Sequence, residues 1–443
     1  MPDRVVRLGI DYGTSFSKVV FRDYGAPGGE KAFVMLRKGT FRTPSAIGVE
    51  GDQFIFGANP SDGKDGITWY KSVKMRVAGE VKSDYAKYYR GALNELPEGF
   101  SAKHLATLTV SFLIAEGKRN MLEHLSQSSA SGAAVGFSLG MPMSFYDDAD
   151  LRAAFLEIAR VAWEMSKLPS ATERLSFSNA RRALRLGYEI VEDLGALADD
   201  EIRHWVRTEA EAALWWPFQS PSVSEGPYAQ IDIGAGTTNI AIFRIVPTHT
   251  PSGWVKESLS FFGADSPPVG MDAVDQALAE WTGEALENSL AMRGRERQLL
   301  HGRIGEIIVS DVVKELREAY RRTLVRAFAT HLQSLSERDR WRRHRVFFLG
   351  GGSEIDAIVN QLSRSPLAGN EARVHETAWL EKPSDLFMAN QADVPDDMVP
   401  HLAVAYGLSS LAAEIPSSET PSETPAMVET DRYQQIDLDD WRY

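Results

Sequence analysis

Short apolar runs separated by polar turns dominate the chain, a pattern typical of buried strands joined as hairpins. The first such stretch, Leu8 to Phe21, has an apolar run that ends at Asp11, a tight turn and a second apolar run. Gly13 permits a backbone turn that a side chain would obstruct. Thr14 and Ser15 then place hydroxyl and N–H groups at the tip. Such a concavity of donors can bind phosphate oxygens, with a carboxylate behind it for hydrated magnesium.

The same design recurs in the second half of the chain, from Tyr228 to Phe243. An apolar run again ends at an aspartate, Asp232, and a glycine turn leads into a second run. A single aspartate–glycine hairpin is a common turn and carries little functional information. Two of them predict a duplicated fold that binds one nucleotide between its halves. The residues of this second turn are Gly234, Gly236, Thr237, Thr238 and Asn239.

A third glycine turn follows the apolar run Val346 to Leu349 and precedes a helical pattern from Glu354 to Ser363. Glycines at this place let a nucleoside approach the backbone and the N-terminus of a helix. The residues of this turn are Gly350, Gly351, Gly352 and Ser353.

The rest of the chain alternates strands with helices. Apolar spacing predicts a strand at 32–35, a helix at 101–126, a strand at 133–140 and a helix at 147–165 with Asp147 or Asp148 as its N-cap. Residues 176–194 and 199–206 are expected to add a strand and a helix, and 272–345 to be mostly helical. Beyond residue 415 the chain becomes rich in Pro, Ser and acidic residues, which predicts a disordered tail.

The amino-acid composition excludes several classes of function and partner. The 443 residues contain 48 Lys and Arg against 61 Asp and Glu, a formal net charge of −13. This balance argues against nucleic acid or an anionic membrane as the main partner. The absence of cysteine excludes disulfides, thiolate zinc sites and thiol nucleophiles. No apolar run reaches the roughly 18 residues of a membrane span, and residues 1–4 begin no signal peptide, so we expect a cytoplasmic protein.

The three turns, in this order, resemble those of the actin, sugar-kinase and heat-shock ATPase superfamily, and most of all the nucleotide-binding domain of the seventy-kilodalton heat-shock chaperones. The resemblance extends from residue 5 to about 413. It implies an α/β, two-lobed actin-like ATPase fold in which each lobe has a mixed five-stranded ribonuclease-H-like sheet with helices. The implied domains are lobe I at 1–220, lobe II at 221–395, a closing helix at 396–414 that returns to lobe I, and the acidic tail at 415–443.

The resemblance also assigns roles. Asp11 and Asp232 are expected to hold Mg²⁺ through water and to act in catalysis. The residues expected to bind ATP or ADP are Gly13, Thr14, Ser15, Gly234, Gly236, Thr237, Thr238, Asn239, Gly350, Gly351, Gly352 and Ser353.

Three further assignments come from single positions. A lysine near residue 74 is expected to reach the γ-phosphate, with Lys74 preferred and Lys71 as the alternative. Glu209 matches the interlobe glutamate that positions water, although a glutamate in the first turn of a helix is also favoured by the helix dipole. Candidates for adenine contact are Arg293, Arg297 and Lys314, each of which also fits a charged helix surface.

The expected function is an ATPase that acts as a chaperone-like nucleotide switch on a separate protein partner, because the β-sandwich and lid that bind client peptides have no counterpart here. The chaperones carry aspartate where this chain has Asn239, so hydrolysis is expected to be slow. The alternative is an actin-like protein that forms nucleotide-dependent filaments. A small-molecule kinase is disfavoured because no second site with a base for a substrate hydroxyl is evident.

Overall fold

The structure is a computed structural model, which describes residues 4–26, 29–60, 66–83, 95–126, 133–168, 172–220, 223–250, 253–283, 300, 302–331, 344–364, 376–378, 380–411, 414 and 417–421. The strands are β1 (Arg4–Asp11), β2 (Phe16–Asp23), β3 (Lys31–Val34), β4 (Thr43–Pro44), β5 (Ile47–Glu50), β6 (Gln53–Ile55), β7 (Thr68–Tyr70), β8 (Ala133–Met141), β9 (Arg174–Ser176), β10 (Val206–Thr208), β11 (Gly226–Ile233), β12 (Thr238–Thr250), β13 (Gly253–Asp265), β14 (Arg345–Leu349), β15 (Glu376–Ala378), β16 (Leu386–Met388) and β17 (Ser417–Glu419).

Helices cover both halves of the chain. They are α1 (Val73–Val81), α2 (Ala102–Ser126), α3 (Met143–Tyr146), α4 (Ala149–Met165), α5 (Phe177–Leu194), α6 (Asp199–Trp205), α7 (Glu209–Gln219), α8 (Met271–Thr282), α9 (Gly302–Ile308), α10 (Ser310–His331), α11 (Asp356–Leu362) and α12 (Val399–Leu408), with 3₁₀ turns at Gly351–Glu354 and Asp396–Met398.

The chain divides into two compact units. Unit 1 comprises residues 1–216 and 382–415, and unit 2 comprises 217–381 and 416–443. The return to unit 1 therefore begins near residue 382, earlier than the expected boundary at 396. The reason is β16, which pairs in parallel with β3 and so belongs to the sheet of unit 1.

The main sheet of unit 1 is built around β1. Strand β1 pairs antiparallel with β2 and parallel with β8, and the sheet continues to β10 on one side and to β3 and β16 on the other. Helices α2 and α4 supply much of its apolar core, through buried side chains such as Leu105, Phe112, Phe155 and Ile158. The strand at 32–35 and the helix at 101–126 are thus present as predicted.

Unit 2 repeats this strand arrangement around β11. Strand β11 pairs antiparallel with β12 and parallel with β14, while β12 pairs antiparallel with β13 and β14 parallel with β15. The order β15-β14-β11-β12-β13 therefore has the same directions as β10-β8-β1-β2-β3 in unit 1. Both units are mixed α/β structures with one shared five-strand connectivity.

Local sequence signals account for several boundaries. Asp148 is the N-cap of α4, because its side chain accepts hydrogen bonds from the N–H groups of Asp150 and Leu151. This confirms one of the two predicted caps. The segment from 176 to 206, in contrast, was expected to supply a strand and a helix, but it forms two helices, α5 and α6. The strand in this region is β9, which pairs with β6.

The prediction of a disordered tail beyond residue 415 is wrong for its first residues. Residues Ser417–Glu419 form β17, which pairs in parallel with β13 at the edge of the unit 2 sheet. Pairing with a neighbouring strand satisfies the backbone groups of a segment whose Pro- and Ser-rich sequence gives no local strand signal. The tail residues from 422 to 443 lie outside the described residues.

Helix α12 packs directly on the backbone of β1. A Cβ atom at Gly9 would lie 2.1 Å from the carbonyl oxygen of Ala405 and 2.4 Å from the nitrogen of Ser409. These are rigid backbone atoms, so the strand and the helix can approach this closely only because residue 9 has no side chain. Gly9 lies two positions before Asp11, and its contact therefore fixes the strand that carries that carboxylate.

We expect Gly9→Ala to lower the free energy of unfolding of the protein by about 2 kcal/mol or more, because α12 must move away from β1. Gly136→Ala on the adjacent strand β8 is the matched control, since its Cβ would meet only the flexible end of Arg7, at 3.2 Å. Urea denaturation followed by circular dichroism measures both. Equal losses in the two variants would contradict the proposed close contact.

Candidate functional site

The first site element is the hairpin of β1 and β2. Asp11 lies opposite Lys18 in the antiparallel register, and the Lys18 Nζ atom lies 2.7 Å from Asp11 Oδ2. The turn needs glycine at position 13, because a Cβ atom there would lie 2.3 Å from the carbonyl oxygen of Phe16. The N–H of Gly13 donates to the carbonyl of Asp11 at 3.1 Å. The predicted hairpin is therefore present, with its aspartate in an ion pair.

A serine-rich contact braces the tip of this hairpin. The N–H of Ser45 donates to the carbonyl of Ser15 at 2.9 Å, and the hydroxyls of Ser17 and Ser45 lie 2.8 Å apart. Strand β4, which directly precedes Ser45, pairs with the start of β2. Thr14 and Ser15 are half-buried at the tip.

Of the two candidate lysines, Lys74 lies in helix α1 and Lys71 lies two residues before it. Helix α1 follows Ser72, which has a positive φ of 54°, an uncommon conformation that redirects the chain into the helix. Lys74 in the first turn is buried and forms an ion pair with Glu209, whereas Lys71 before the helix is exposed. Of the two lysines, the structure brings only Lys74 to the other candidate residues.

Glu209 begins α7, directly after β10. Thr208 caps this helix, because its hydroxyl accepts the N–H of Glu211 at 3.1 Å and donates to the Glu211 carboxylate at 2.8 Å. Glu209 itself is buried, and burial raises its pKa above the ordinary value of 4.5. The adjacent positive charge of Lys74 opposes that rise, while the charge of Asp11 adds to it.

Four charged side chains therefore form one cluster in unit 1: Asp11, Lys18, Lys74 and Glu209. Two carboxylates and two ammonium groups balance in charge, which allows them to be buried together. The sequence predicted three of them and missed Lys18. The available signal was its position, since it lies across the hairpin from Asp11 and a lysine there is within reach of the carboxylate.

Unit 2 has the corresponding hairpin in the same register, with Asp232 opposite Asn239. The Asn239 Oδ1 atom accepts a hydrogen bond from the hydroxyl of Ser266 at 2.9 Å. Thr238 differs from its predicted role as a phosphate ligand. Its side chain is fully buried and donates to the carbonyl of Val269 at 2.6 Å, so this hydroxyl braces the turn.

The N-terminus of α8 holds the tip of this second hairpin. The N–H groups of Met271 and Asp272 donate to the carbonyls of Gly234 and Ala235 at 2.9 and 2.8 Å. A Cβ at Gly270 would lie within 2.6 Å of both carbonyl oxygens. Glycine is thus required where α8 meets the turn. Gly236 and Thr237 continue the turn, and the Gly234 N–H donates to the Thr237 carbonyl at 2.9 Å.

The third glycine turn lies against Asp232. Gly350 has a φ of 74°, and a Cβ atom there would lie 2.4 Å from Asp232 Oδ1. A Cβ at Gly352 would likewise lie 2.3 Å from Ile233 Cγ2. Ser353 closes the turn, because its hydroxyl donates to the carbonyl of Gly350 at 2.7 Å. Unit 2 therefore brings Asp232, the second hairpin and the glycine turn of Gly350, Gly351 and Gly352 together.

Each unit supplies a carboxylate of the chemical type that a magnesium ion binds directly or through water. Asp11 and Asp232 supply hard carboxylate oxygens, and Mg²⁺ commonly keeps several waters while it binds one or two carboxylates and substrate phosphates. The absence of a side chain at Gly350 lets this turn approach the Oδ1 atom of Asp232 closely. Within the described ranges, no group of three or more His, Asp or Glu side chains is placed to hold a metal ion.

Of the three residues proposed to contact adenine, the structure describes one. Arg293 and Arg297 lie outside the described residues, and Lys314 lies on the exposed side of α10. None of the described contacts links Lys314 to the glycine turn.

Comparison with protein families and with curated proteins finds no match for this chain. Among the helices that the structure describes, none is both long and apolar enough to cross a membrane.

We expect Gly350→Ala to lower the free energy of unfolding by about 2 kcal/mol more than Gly195→Ala does. Both glycines have nearly the same backbone conformation, with φ 74° and ψ −175° at Gly350 and φ 74° and ψ −170° at Gly195, so both substitutions incur similar backbone strain. Only the Cβ at position 350 meets Asp232, whereas position 195 faces open space. Urea denaturation of both variants separates strain from contact, and equal losses would show that the contact with Asp232 is unimportant.

Proposed function

We propose that this protein binds and hydrolyses ATP with Mg²⁺, using the hairpins of both units to bind the phosphates. In this proposal it acts as a chaperone-like nucleotide switch on a separate protein partner. The observation that carries the proposal is the repetition itself. Each unit has the same five-strand connectivity and places an aspartate at the end of its central strand, beside a glycine turn. The resemblance to the heat-shock and actin ATPases, seen in the sequence, predicts this pair of hairpins.

The charge cluster of unit 1 suits hydrolysis. Phosphoryl transfer requires positioning and electrostatic stabilisation more than covalent chemistry. Lys74 would stabilise the charge that develops on the γ-phosphate, and Glu209 would orient the attacking water and accept its proton. The ion pair between them holds both side chains in place. The pairing of Lys18 with Asp11 holds that carboxylate in place.

The magnesium ion would be held through water by Asp11 and Asp232, and when bound it neutralises charge on the phosphate oxygens. Thr14, Ser15 and the N–H groups of the second turn would bind those oxygens. The glycine turn of residues 350–352 would accept the nucleoside, because the lack of side chains lets a ligand approach the backbone. Asn239, whose amide oxygen is engaged by Ser266, adds no negative charge beside Asp232. Hydrolysis is accordingly expected to be slow.

The proposal predicts magnesium-dependent ATP binding, and it predicts that Lys74→Ala lowers kcat at least about 100-fold, as removal of one transition-state donor commonly does. Lys71→Ala is the matched control, because Lys71 is exposed on the same stretch of chain. Isothermal titration calorimetry measures binding, and phosphate release measures kcat. Absence of ATP binding in the presence of Mg²⁺ would reject the proposed function.

The raised pKa of Glu209 predicts that kcat depends on pH. Only the ionised carboxylate can accept a proton, so kcat should fall as the pH decreases through the pKa of Glu209, above the ordinary 4.5. Glu209→Gln should lower kcat and remove this acid limb. Burial also raises the pKa of Glu211, but this carboxylate accepts the hydroxyl of the cap residue Thr208 and has no proposed catalytic role. Glu211→Gln, which keeps the cap, should therefore retain the limb. A pH–rate profile that is unchanged in Glu209→Gln would exclude Glu209 as the base.

A further inference from the structure

The long helix α5 is not accounted for by the candidate site. It packs on α4 through one face. A Cβ at Gly187 would lie 2.9 Å from Val161 and 3.0 Å from Met165. Ala180, Ala183 and Leu184 are buried on the same side. The opposite face of α5 is exposed.

The exposed face has an unusual distribution of charge. Its basic side chains lie in the N-terminal half and its acidic side chains in the C-terminal half: Arg181, Arg182, Arg185, Glu189, Glu192 and Asp193. The first turn contains no acidic residue and the last turn no basic one. This order opposes the helix macrodipole, which favours negative charge at the N-terminus and positive charge at the C-terminus. The arrangement therefore costs stability in an isolated helix.

Only some of these charged side chains have a partner within the chain. Arg185 Nε lies 3.8 Å from Glu189 Oε1, and Arg181 donates to the carbonyl of Glu98 at 2.9 Å. In the part of the chain that the structure describes, Arg182 and Asp193 make no ion pair or hydrogen bond through their side chains. These two charges lie near opposite ends of one stripe of the helix, about 16 Å apart along its axis.

The stripe has the spacing of a helix–helix contact. Arg182, Leu186, Glu189 and Asp193 follow one another at intervals of four, three and four residues, which places them along one line of the helix surface. Ile190 and Leu194, 37% and 62% exposed, flank this line. The outer face of α5 therefore combines an apolar middle with a basic end and an acidic end.

We propose that α5 binds α5 of a second copy of this chain, antiparallel and about a two-fold axis near its middle. A face with one basic and one acidic end is complementary to itself only in this orientation, which is the requirement for a two-fold interface. Arg182 of each copy then pairs with Asp193 of the other. Leu186 and Ile190 of the two copies meet near the axis, and the opposed dipoles of the two helices align favourably.

The interface is small. A contact between two single helices of 18 residues is expected to bury less than about 1,200 Å², the area below which complexes are generally transient. The dimer should therefore be weak, independent of nucleotide and sensitive to salt, because its pairing charges are exposed when the copies separate. This property distinguishes it from a nucleotide-dependent filament, and it does not rest on the proposed ATPase activity.

Analytical ultracentrifugation of the full chain without nucleotide, over a range of concentrations at low salt, tests the proposal. The expected result is a reversible shift from the monomer of 49.1 kDa towards a dimer. Arg182→Glu and Asp193→Arg should each weaken the dimer at least about tenfold, because each places like charges opposite one another. The double variant Arg182→Glu/Asp193→Arg should recover the affinity, since it exchanges the partners of each pair.

Arg303→Glu provides the matched control, since it makes the same charge change at an exposed position of α9 in unit 2. It should leave the dimer unchanged, and circular dichroism should show native helix content in all four variants. A protein that stays monomeric at every concentration would overturn the proposal. So would association that Arg182→Glu leaves intact, or single variants that weaken the dimer without recovery in the double variant.

Discussion

The buried ion pair between Lys74 and Glu209 is the interaction on which the geometry of unit 1 depends, because neither charge is stable in a buried position without the other. Two local features bring its members together. The left-handed backbone at Ser72 starts α1 where Lys74 enters its first turn, and the Thr208 cap starts α7 at Glu209. Burial raises the pKa of Glu209, and the charge of Asp11, which completes the cluster, adds to that rise.

Contacts between backbones hold the elements that carry these charges. Helix α12 lies on β1 at Gly9, and a Cβ at Gly407 of the same helix would lie 1.8 Å from the carbonyl oxygen of Ala212 in α7. One helix therefore packs against both the strand of Asp11 and the helix of Glu209. Glycine has the same effect in unit 2, where Gly270 and Gly350 let α8 and the third turn approach the second hairpin. Positions in a cluster of this kind tolerate little displacement, because close-packed interiors transmit strain.

The repeated hairpins differ at one matched position. Across from Asp11 lies Lys18, whose charge offsets that of the aspartate, and across from Asp232 lies Asn239, which is neutral. Unit 1 therefore has a balanced charge cluster, whereas the aspartate of unit 2 faces an amide that Ser266 orients. The two units share the backbone arrangement of the hairpin. Lys18 and Asn239 make the charge beside the aspartate different in the two units.

Sequence patterns predicted the elements whose signals are local. Apolar runs and glycine turns predicted the hairpins at Asp11 and Asp232. The helical spacing of apolar residues predicted α2, and Asp148 was one of the two residues predicted to cap α4. Position within the resemblance favoured Lys74 over Lys71. These features depend on residues close together in the chain, so backbone preferences and hydrophobic spacing are sufficient to predict them.

Only the tertiary structure decided the features that depend on partners distant in sequence. Strands β16 and β17 have three residues each and exist because β3 and β13 offer free edges. The Thr238 hydroxyl braces the turn because Val269 supplies a carbonyl, and residues 177–194 form a helix because α4 covers their apolar face. Short segments carry too little information of their own, so the free energy of their pairing and burial determines what they become.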